Sequence, residues 1–339
     1  MSRNSILWIG PAALLCLVSF GETPASAATK GSKVSKRAGA YSAARAQTRK
    51  AKLARARAVA MAREIADTAL PRYKVDASGD LVPDVRAAAA IIYDPDTNQV
   101  LWEENSQSER SIASITKVMT ATVFLESNPD VTQQVTITRG DVYQASTTHL
   151  RANDKVTTDD LLHLLLIASD NAAARALARV SHGGTASFIE RMNEKAIELG
   201  LESTSFADPS GLNPANISSA YDLSRLISFA SANDTMAPMM RTASYTARTS
   251  RRSITIRNTN HLVRGGEVDV LGGKTGFISK AGYCLATLLR LPQSNHQVAV
   301  VVLGAGSNNG RFWETRHLFN WLADKASDLF AKEGDQNQE

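Results

Sequence analysis

Residues 113–120 read ASITKVMT, and this stretch does most to decide the fold and the chemistry. It places Ser114 three residues before Lys117 at the start of a predicted helix, residues 114–126. Side chains three positions apart lie on one face of a helix, roughly 5–6 Å apart at Cβ. The helix N-terminus adds positive potential where an oxyanion would form. The pair therefore has the spacing of a nucleophile and its base, although a helix-capping serine beside a solvated lysine has the same pattern.

A second short motif, Ser169-Asp170-Asn171, lies in the break between two predicted helices, residues 158–167 and 171–180. A hydroxyl and an amide at such a break are suited to relaying a proton and to holding a substrate amide. Taken alone, the motif is equally typical of a plain helix N-cap.

A third motif, Lys274-Thr275-Gly276, lies on a predicted strand after two glycines. Lys274 supplies a second cation, and a cation near a buried lysine lowers the pKa of that lysine. Thr275 offers a hydroxyl to a carboxylate, and Gly276 lets another chain approach the backbone closely. Taken alone, this motif too is unremarkable.

The order of predicted elements indicates an α+β domain with an antiparallel sheet and a helical lobe. A hairpin of residues 87–93 and 99–104 comes first, and helices fill the middle of the chain. Three strands and a final helix, residues 311 to about 331, follow. The sheet is therefore expected to join both ends of the domain. The remaining helices are predicted at residues 186–199 and 219–232, and the late strands at residues 272–277, 283–291 and 297–303.

Four segments are expected along the 339 residues. Residues 1–27 have the form of a signal peptide, with a short apolar run and a small-residue cleavage site near Ala27, which predicts export to the periplasm. Residues 28–85 are expected to be a basic, largely disordered linker, because residues 28–63 carry eleven Lys or Arg and no Asp or Glu. Residues 86–331 form the catalytic domain, and residues 332–339 an acidic tail.

The three motifs in this order resemble those of low-molecular-mass penicillin-binding proteins, the serine D,D-peptidases. The likeness extends over about residues 87–323 and is closest to the penicillin-binding protein 7 type, a D-alanyl-D-alanine endopeptidase. Further matching stretches are residues 208–212 (DPSGL), 258–262 (NTNHL) and 281–283 (AGY). The resemblance implies a penicillin-binding protein/β-lactamase-like serine transferase fold. It also implies acylation of the serine by peptidoglycan stem peptides, with β-lactams as inhibitors.

The resemblance also implies a role for each site residue. Ser114 is the nucleophile, Lys117 its general base, and Ser169 the proton shuttle toward the leaving amine. Asn171 holds the substrate backbone, and Lys274 tunes the site electrostatically. The remaining members bind substrate: Thr275, Gly276 and Phe277, with the backbone N–H groups of Phe277 and Ser114 as the oxyanion hole.

One departure from the family concerns the substrate terminus. Carboxypeptidase relatives place an arginine shortly after the strand that follows the Lys-Thr-Gly motif, where it pairs with the terminal carboxylate. Alignment by eye puts Gly306 at that position. Together with the short stretch after the last helix, this favours cleavage of cross-links over removal of a terminal D-Ala.

Several alternatives stay open from the sequence. They are a D-Ala-D-Ala carboxypeptidase, a class A-like β-lactamase, and a non-catalytic protein that binds peptidoglycan or senses β-lactams. The histidines show no compact ligand spacing, so we expect no metal and no cofactor. The basic stretch of residues 28–63 suggests contact with anionic envelope polymers, and export argues against nucleic acid.

Overall fold

A computed structural model describes residues 47–60, 62–63, 66, 70–292 and 296–336. The strands are β1 (Tyr73–Val75), β2 (Leu81–Pro83), β3 (Ala89–Asp94), β4 (Gln99–Glu104), β5 (Arg110–Ser111), β6 (Gln134–Thr136), β7 (Lys155–Thr157), β8 (Ile217–Ser218), β9 (Ser244–Arg248), β10 (Ser253–Arg257), β11 (Asp269–Ile278), β12 (Gly282–Arg290) and β13 (Gln297–Ala305). The helices are α1 (residues 47–60), α2 (Thr116–Glu126), α3 (Arg139–Val142), α4 (Thr158–Ile167), α5 (Asn171–Val180), α6 (Gly184–Glu198), α7 (Ala220–Ser231), α8 (Met236–Arg241), α9 (His261–Gly265) and α10 (Asn308–Gln336).

One antiparallel five-stranded sheet organises the domain, in the order β11-β12-β13-β3-β4. The first hairpin, β3 with β4, pairs with the last strand β13, so the sheet joins both ends of the domain as the sequence predicts. β11 carries the Lys-Thr-Gly motif and forms one edge of the sheet. That edge is where the catalytic motifs meet.

The sheet is buried on both faces, which explains its nearly continuous apolar strands. Residues alternate along β13, with Ala299, Val301 and Leu303 in one core and Val298 and Val300 in the other. The first core includes side chains of α2, α4, α5, α7 and α8, which form the helical lobe. The second includes Phe312, Leu318 and Phe319 of α10. The α+β prediction is confirmed.

Local signals place the helices of the lobe. The Thr157 side chain accepts a hydrogen bond from the Asp160 backbone N–H at the start of α4, over 3.1 Å. Ser219 caps α7 in the same way through the N–H of Asp222, over 3.0 Å. Such caps satisfy helix N–H groups that have no partner within the helix, and both follow from the sequence spacing.

The folded region extends further at both ends than the sequence pattern indicates. β1 and β2 pair within the expected linker, and Val82 packs in the second core. The side chain of Trp321 on α10 donates to the Leu81 carbonyl over 3.3 Å. Each strand has only three residues, too few to give a clear alternation. At the other end, α10 continues through Gln336, into the segment assigned to an acidic tail.

Three observations bear on the remaining predictions about the ends of the chain. The predicted signal peptide lies outside the described residues. Residues 47–60 of the basic stretch are helical and exposed, where we expected little order. Within the part of the chain that the structure describes, no helix has both the length and the apolar character that crossing a membrane requires.

Candidate active site

The first serine–lysine pair lies where a short 3-10 turn, Ala113–Ile115, leads into α2. Ser114 is partly accessible, whereas Lys117 is completely buried. The Lys117 Nζ lies 2.9 Å from Ser114 Oγ and 2.6 Å from Asn171 Oδ1, and it also donates to the Ser210 carbonyl. Three partners therefore surround one amine in a dry environment.

Burial of Lys117 lowers the pKa of its amine from 10.5 to about 7, because burial disfavours the charged form. The carboxylates of Asp170 and Asp208 oppose this shift in pKa and do not overcome it. A neutral amine has two N–H groups and one lone pair. Because Asn171 Oδ1 and the Ser210 carbonyl are acceptors only, they take the two N–H groups, and the lone pair is left for the hydroxyl of Ser114. The geometry is that of a base poised to accept the serine proton.

A second serine–lysine pair faces the first. Lys274 on β11 is 1% exposed, and its Nζ donates to Ser169 Oγ and to the Thr275 carbonyl, each over 2.9 Å. The pKa of Lys274 is lowered well below its ordinary value by burial first, and then by the charges of Lys117 and Arg311. The second lysine predicted from sequence is thus close enough to Lys117 for a charge on Lys117 to lower the pKa of Lys274.

The Ser-Asp-Asn segment is held by the loop before it. Asn171 donates from its side chain to the Ala145 carbonyl over 2.6 Å and from its backbone to the Thr147 carbonyl over 2.9 Å. Asp170 is fully buried and caps α5 through the N–H of Ala173, so the N-cap interpretation of the motif is also correct. Ser169 has φ +60°, a conformation uncommon outside glycine. These bonds hold Ser169 beside Lys274 and Asn171 beside Lys117.

Two glycines allow the backbone to pack closely around Ser114. A Cβ on Gly276 would lie 2.6 Å from the Ile112 carbonyl oxygen and 3.2 Å from the Ser114 nitrogen. A Cβ on Gly211, whose φ is +79°, would lie 2.0 Å from the Ala113 carbonyl oxygen. The close approach predicted for Gly276 is therefore an approach to the backbone of Ser114.

A cavity of about 420 Å³ opens above these groups. Thr275 lies in its wall and donates from Oγ1 to Thr259 Oγ1 over 2.7 Å. Phe277 is 49% exposed at the cavity wall and stacks on Tyr283, with ring centroids 4.2 Å apart. Other residues of the wall are Ser114, Ser146, Thr147, Ser169, Asn171, Leu212, Gly276 and Arg311. The structure thus gathers the predicted site residues in or directly beneath one cavity.

Arg311 corrects the inference drawn from Gly306. Gly306 is exposed just beyond β13, whereas Arg311 on the first turn of α10 reaches the cavity wall. Its Nη1 donates to the Gly276 carbonyl over 3.0 Å and to the Cys284 carbonyl over 3.1 Å. Burial lowers the pKa of its guanidinium to about 10, so it remains charged at neutral pH. The cavity wall therefore has a cation five residues beyond Gly306, so a glycine at position 306 does not leave the site without an arginine.

Sequence reasoning did not identify the carbonyl of Ser210 as a partner of Lys117. The loop that carries Ser210 is folded around Asp208, whose carboxylate accepts from the backbone N–H groups of Ser210, Gly211 and Asn213. In the sequence, the aspartate of the DPSGL stretch is the feature that indicates an ordered loop at this place. Among the described residues, no group of three or more His, Cys, Asp or Glu is placed to hold a metal ion.

A serine hydroxyl within hydrogen-bond distance of a buried lysine, facing a second such pair across a cavity, defines a serine acyl-transfer enzyme of the peptidase type. A family model described as D-alanyl-D-alanine carboxypeptidase matches residues 76–307, and the chain belongs to that family. The protein is a serine D,D-peptidase, as the three motifs indicated.

Individual relatives agree with this assignment. The chain is 36% identical over 224 residues to a D-alanyl-D-alanine endopeptidase of Haemophilus influenzae, covering 66% of this chain and 77% of the relative. It is 34% identical to a D-alanyl-D-alanine endopeptidase of Escherichia coli, covering 71% and 78%. The crystal structure of the Streptomyces K15 DD-transpeptidase superposes with a TM-score of 0.66 at 32% identity, covering 70% of this chain and 97% of that one. The predicted serine transferase fold is confirmed.

Proposed function

We propose that the protein is a D-alanyl-D-alanine endopeptidase that cleaves cross-links between peptidoglycan stem peptides. The observation that carries this choice is the similarity to the two endopeptidases over most of the length of each. Gly306 gives no support for choosing the endopeptidase over the carboxypeptidase reaction, because Arg311 supplies a cation in the catalytic cavity.

In the proposed acylation step, Ser114 Oγ attacks the carbonyl carbon of the donor-stem D-Ala residue that is joined by the cross-link to an amine of the acceptor stem. Neutral Lys117 accepts the hydroxyl proton across the 2.9 Å contact, so the new C–O bond forms as the O–H bond breaks. The backbone N–H groups of Ser114 and Phe277 stabilise the oxyanion. Gly276 supports this role because its missing side chain lets β11 lie against the turn that carries Ser114.

In the proposed collapse of the tetrahedral intermediate, Ser169 delivers a proton to the leaving amine as the C–N bond breaks. Its contact with Lys274, 2.9 Å long, supports this role because the lysine can resupply the proton. Asn171 holds the substrate backbone while its carbonyl oxygen orients Lys117. Water then attacks the ester carbonyl and gives up a proton that restores Lys274 through Ser169. Lys117 returns its proton to Ser114 Oγ as the ester C–O bond breaks.

A D-Ala-D-Ala carboxypeptidase is the second candidate, and Arg311 is the observation that favours it. A buried guanidinium in the wall that also contains Thr275 is suited to pair with a substrate carboxylate. A free C-terminal D-Ala has such a carboxylate, and so does the diamino acid released from a cross-link. Arg311 is therefore compatible with both reactions.

Purified muropeptides distinguish the two candidates. The ratio of kcat/KM for a cross-linked dimer to kcat/KM for a pentapeptide monomer should exceed one if the protein is mainly an endopeptidase. Rapid release of terminal D-Ala with dimers left intact would instead assign the carboxypeptidase reaction. Failure to hydrolyse either substrate, with retained penicillin binding, would indicate a β-lactam sensor.

We further propose that the protein acts in the periplasm and that residues 28–63 contact anionic envelope polymers. Five of the eleven cations, Arg49, Lys50, Lys52, Arg55 and Arg57, lie on the exposed helix α1, which has no acidic residue. Such an attachment is electrostatic and weakens with salt. Deleting residues 28–63 should weaken sacculus binding at low ionic strength, and the loss should shrink as salt is added. Equal binding of both forms at low salt would contradict the proposal.

A further inference from the structure

A second cavity, of about 280 Å³, lies between α9 and the first turns of α10. Its wall combines aromatic, charged and amide side chains, including Phe312, Trp313, Arg316, His261 and Asn309. Phe312 stacks on His261 with ring centroids 4.7 Å apart and an interplanar angle of 15°. Mixed apolar and polar walls of this kind suit an organic ligand with polar groups.

Residues that line the second cavity are close in the chain to residues that line the catalytic cavity. Thr259 lines the catalytic cavity and His261, two residues later, lines the second. On the other side, Arg311 lines the catalytic cavity and Phe312 lines the second. The guanidinium of Arg311 lies 4.9 Å from the centroid of the Phe312 ring. The contact between these two consecutive side chains therefore connects the lining of the catalytic cavity with the lining of the second cavity.

The electrostatic environment of the second cavity is positive. The pKa of His261 is lowered by burial first, and then by the charges of Arg264 and Arg311. Arg316 contributes another cation to the wall, and it pairs with Glu267, the acidic residue of that wall. Only Arg316 and Glu267 of these charged groups line the cavity, and Arg264 and Arg311 add two positive charges close to His261. A ligand carrying carboxylates is therefore favoured over a neutral one.

We propose that this cavity binds the acceptor stem peptide of a cross-linked substrate, the part of the dimer that leaves as an amine. This inference rests on the proposed endopeptidase function. A cross-linked dimer differs from a pentapeptide monomer in that chain continues beyond the scissile bond, and this continuing chain needs space on the leaving-group side. The stem peptide carries several carboxylates, which matches the excess of positive charge near His261. Binding energy from this remote part of the substrate would favour cross-links over monomers.

The test uses Arg316→Gln and Trp313→Ala, with Arg290→Gln as a matched control. Like the half-buried Arg316, Arg290 pairs with one carboxylate, that of Asp269, but it is more exposed and does not line the cavity. Two quantities are measured for each protein: kcat/KM for cleavage of the dimer, and the rate constant for acylation by benzylpenicillin. Each cavity variant should lower the ratio of the first quantity to the second. For Arg316→Gln we expect a drop of about fivefold, the factor that corresponds to one partly exposed ionic contact. Trp313→Ala should lower the ratio as well, because it removes an aromatic side chain from the cavity wall. The control should keep the ratio of the unmodified enzyme.

An unchanged ratio in both cavity variants would overturn the inference, and so would an equal drop in the control. If the unmodified enzyme cleaves no dimer, the endopeptidase function fails and the cavity is judged by binding alone. The disaccharide-tetrapeptide, which is the amine product, is then titrated calorimetrically into the penicilloyl-enzyme. Saturable binding weakened about fivefold by Arg316→Gln would support the cavity as an acceptor site. Binding that is absent, or that the substitution leaves unchanged, would refute it.

Discussion

The protonation state of Lys117 sets a specific pH dependence for acylation. Burial lowers the pKa of this lysine to about 7, and only its neutral form has a lone pair to accept the Ser114 proton. The neutral fraction is then about 9% at pH 6, about 50% at pH 7 and about 91% at pH 8 for a single proton with that pKa. The rate constant for acylation should therefore rise with pH, by about tenfold between pH 6 and pH 8.

Stopped-flow acylation by a penicillin measures this rate constant directly, because the penicillin carboxylate does not titrate in the range. His149 is the neighbouring group that could imitate the effect, since its contact with Asp170 raises the pKa of its imidazole. The His149→Gln variant is the control, and its midpoint should stay near pH 7. A rate constant that changes by less than about twofold between pH 6 and pH 8, or falls with pH, would refute Lys117 as the base.

Three further predictions concern packing and stability. Gly276→Ala should slow penicillin acylation by about 10²-fold or more, because the added methyl group pushes β11 away from the Ser114 backbone and disturbs the proposed oxyanion hole. The control is Gly140→Ala, where the atom nearest to the added Cβ would be 3.6 Å away, and it should change the acylation rate less than about twofold. Similar acylation rates in the two variants would contradict the packing argument. His149→Gln should destabilise the fold by less than about 1 kcal/mol, the imidazole being 39% exposed. Because the pKa of His149 is raised in the folded state, the destabilisation should have its full size at pH 5, below the pKa of the unfolded state. It should vanish as pH rises through the pKa of the folded state. A difference in melting temperature between variant and unmodified protein that grows with pH would contradict this prediction. Glu314→Gln removes a buried carboxylate that accepts hydrogen bonds from the backbone N–H groups of residues 86 and 87. It should lower the free energy of unfolding, measured with urea, by about 1–3 kcal/mol and leave the acylation rate per folded molecule unchanged. A variant as stable as the unmodified protein would show that this contact is dispensable.

The catalytic groups were predictable because each motif is local. The spacing between Ser114 and Lys117 fixes their common helix face, and Ser169 lies at a break that helix caps make visible in the sequence. What the sequence could not supply was the distance between motifs: Ser169 and Lys274 are 105 residues apart, and their 2.9 Å contact depends on the whole lobe. The resemblance to a family supplied that proximity.

Arg311 and the Ser210 carbonyl show why the remaining parts of the site were missed. Arg311 begins a helix in the sequence and would ordinarily be a surface cation there, but α10 crosses the sheet so that this first turn points back to β11. The register shift between Tyr283 and Leu285 further obscures counting along the strands. Ser210 acts through its backbone, so no property of its side chain marks it.

The β1–β2 hairpin was missed for a different reason. Of its six residues only Val82 and Pro83 are buried, so the pattern of apolar and polar residues gives almost no indication of two strands. Its position depends on a contact with Trp321, which is 240 residues away in the sequence. Local sequence patterns do not reveal contacts over such a separation.

The central claim is that Ser114 is the acylated nucleophile between two buried lysines. Mass spectrometry of the proteolysed penicillin complex tests it most directly, with Ser114→Ala as the matched protein. The account predicts one penicilloyl group per molecule on the peptide that contains Ser114, and no stable adduct in a folded Ser114→Ala variant. A stoichiometric adduct on another residue, or on the variant, would contradict it.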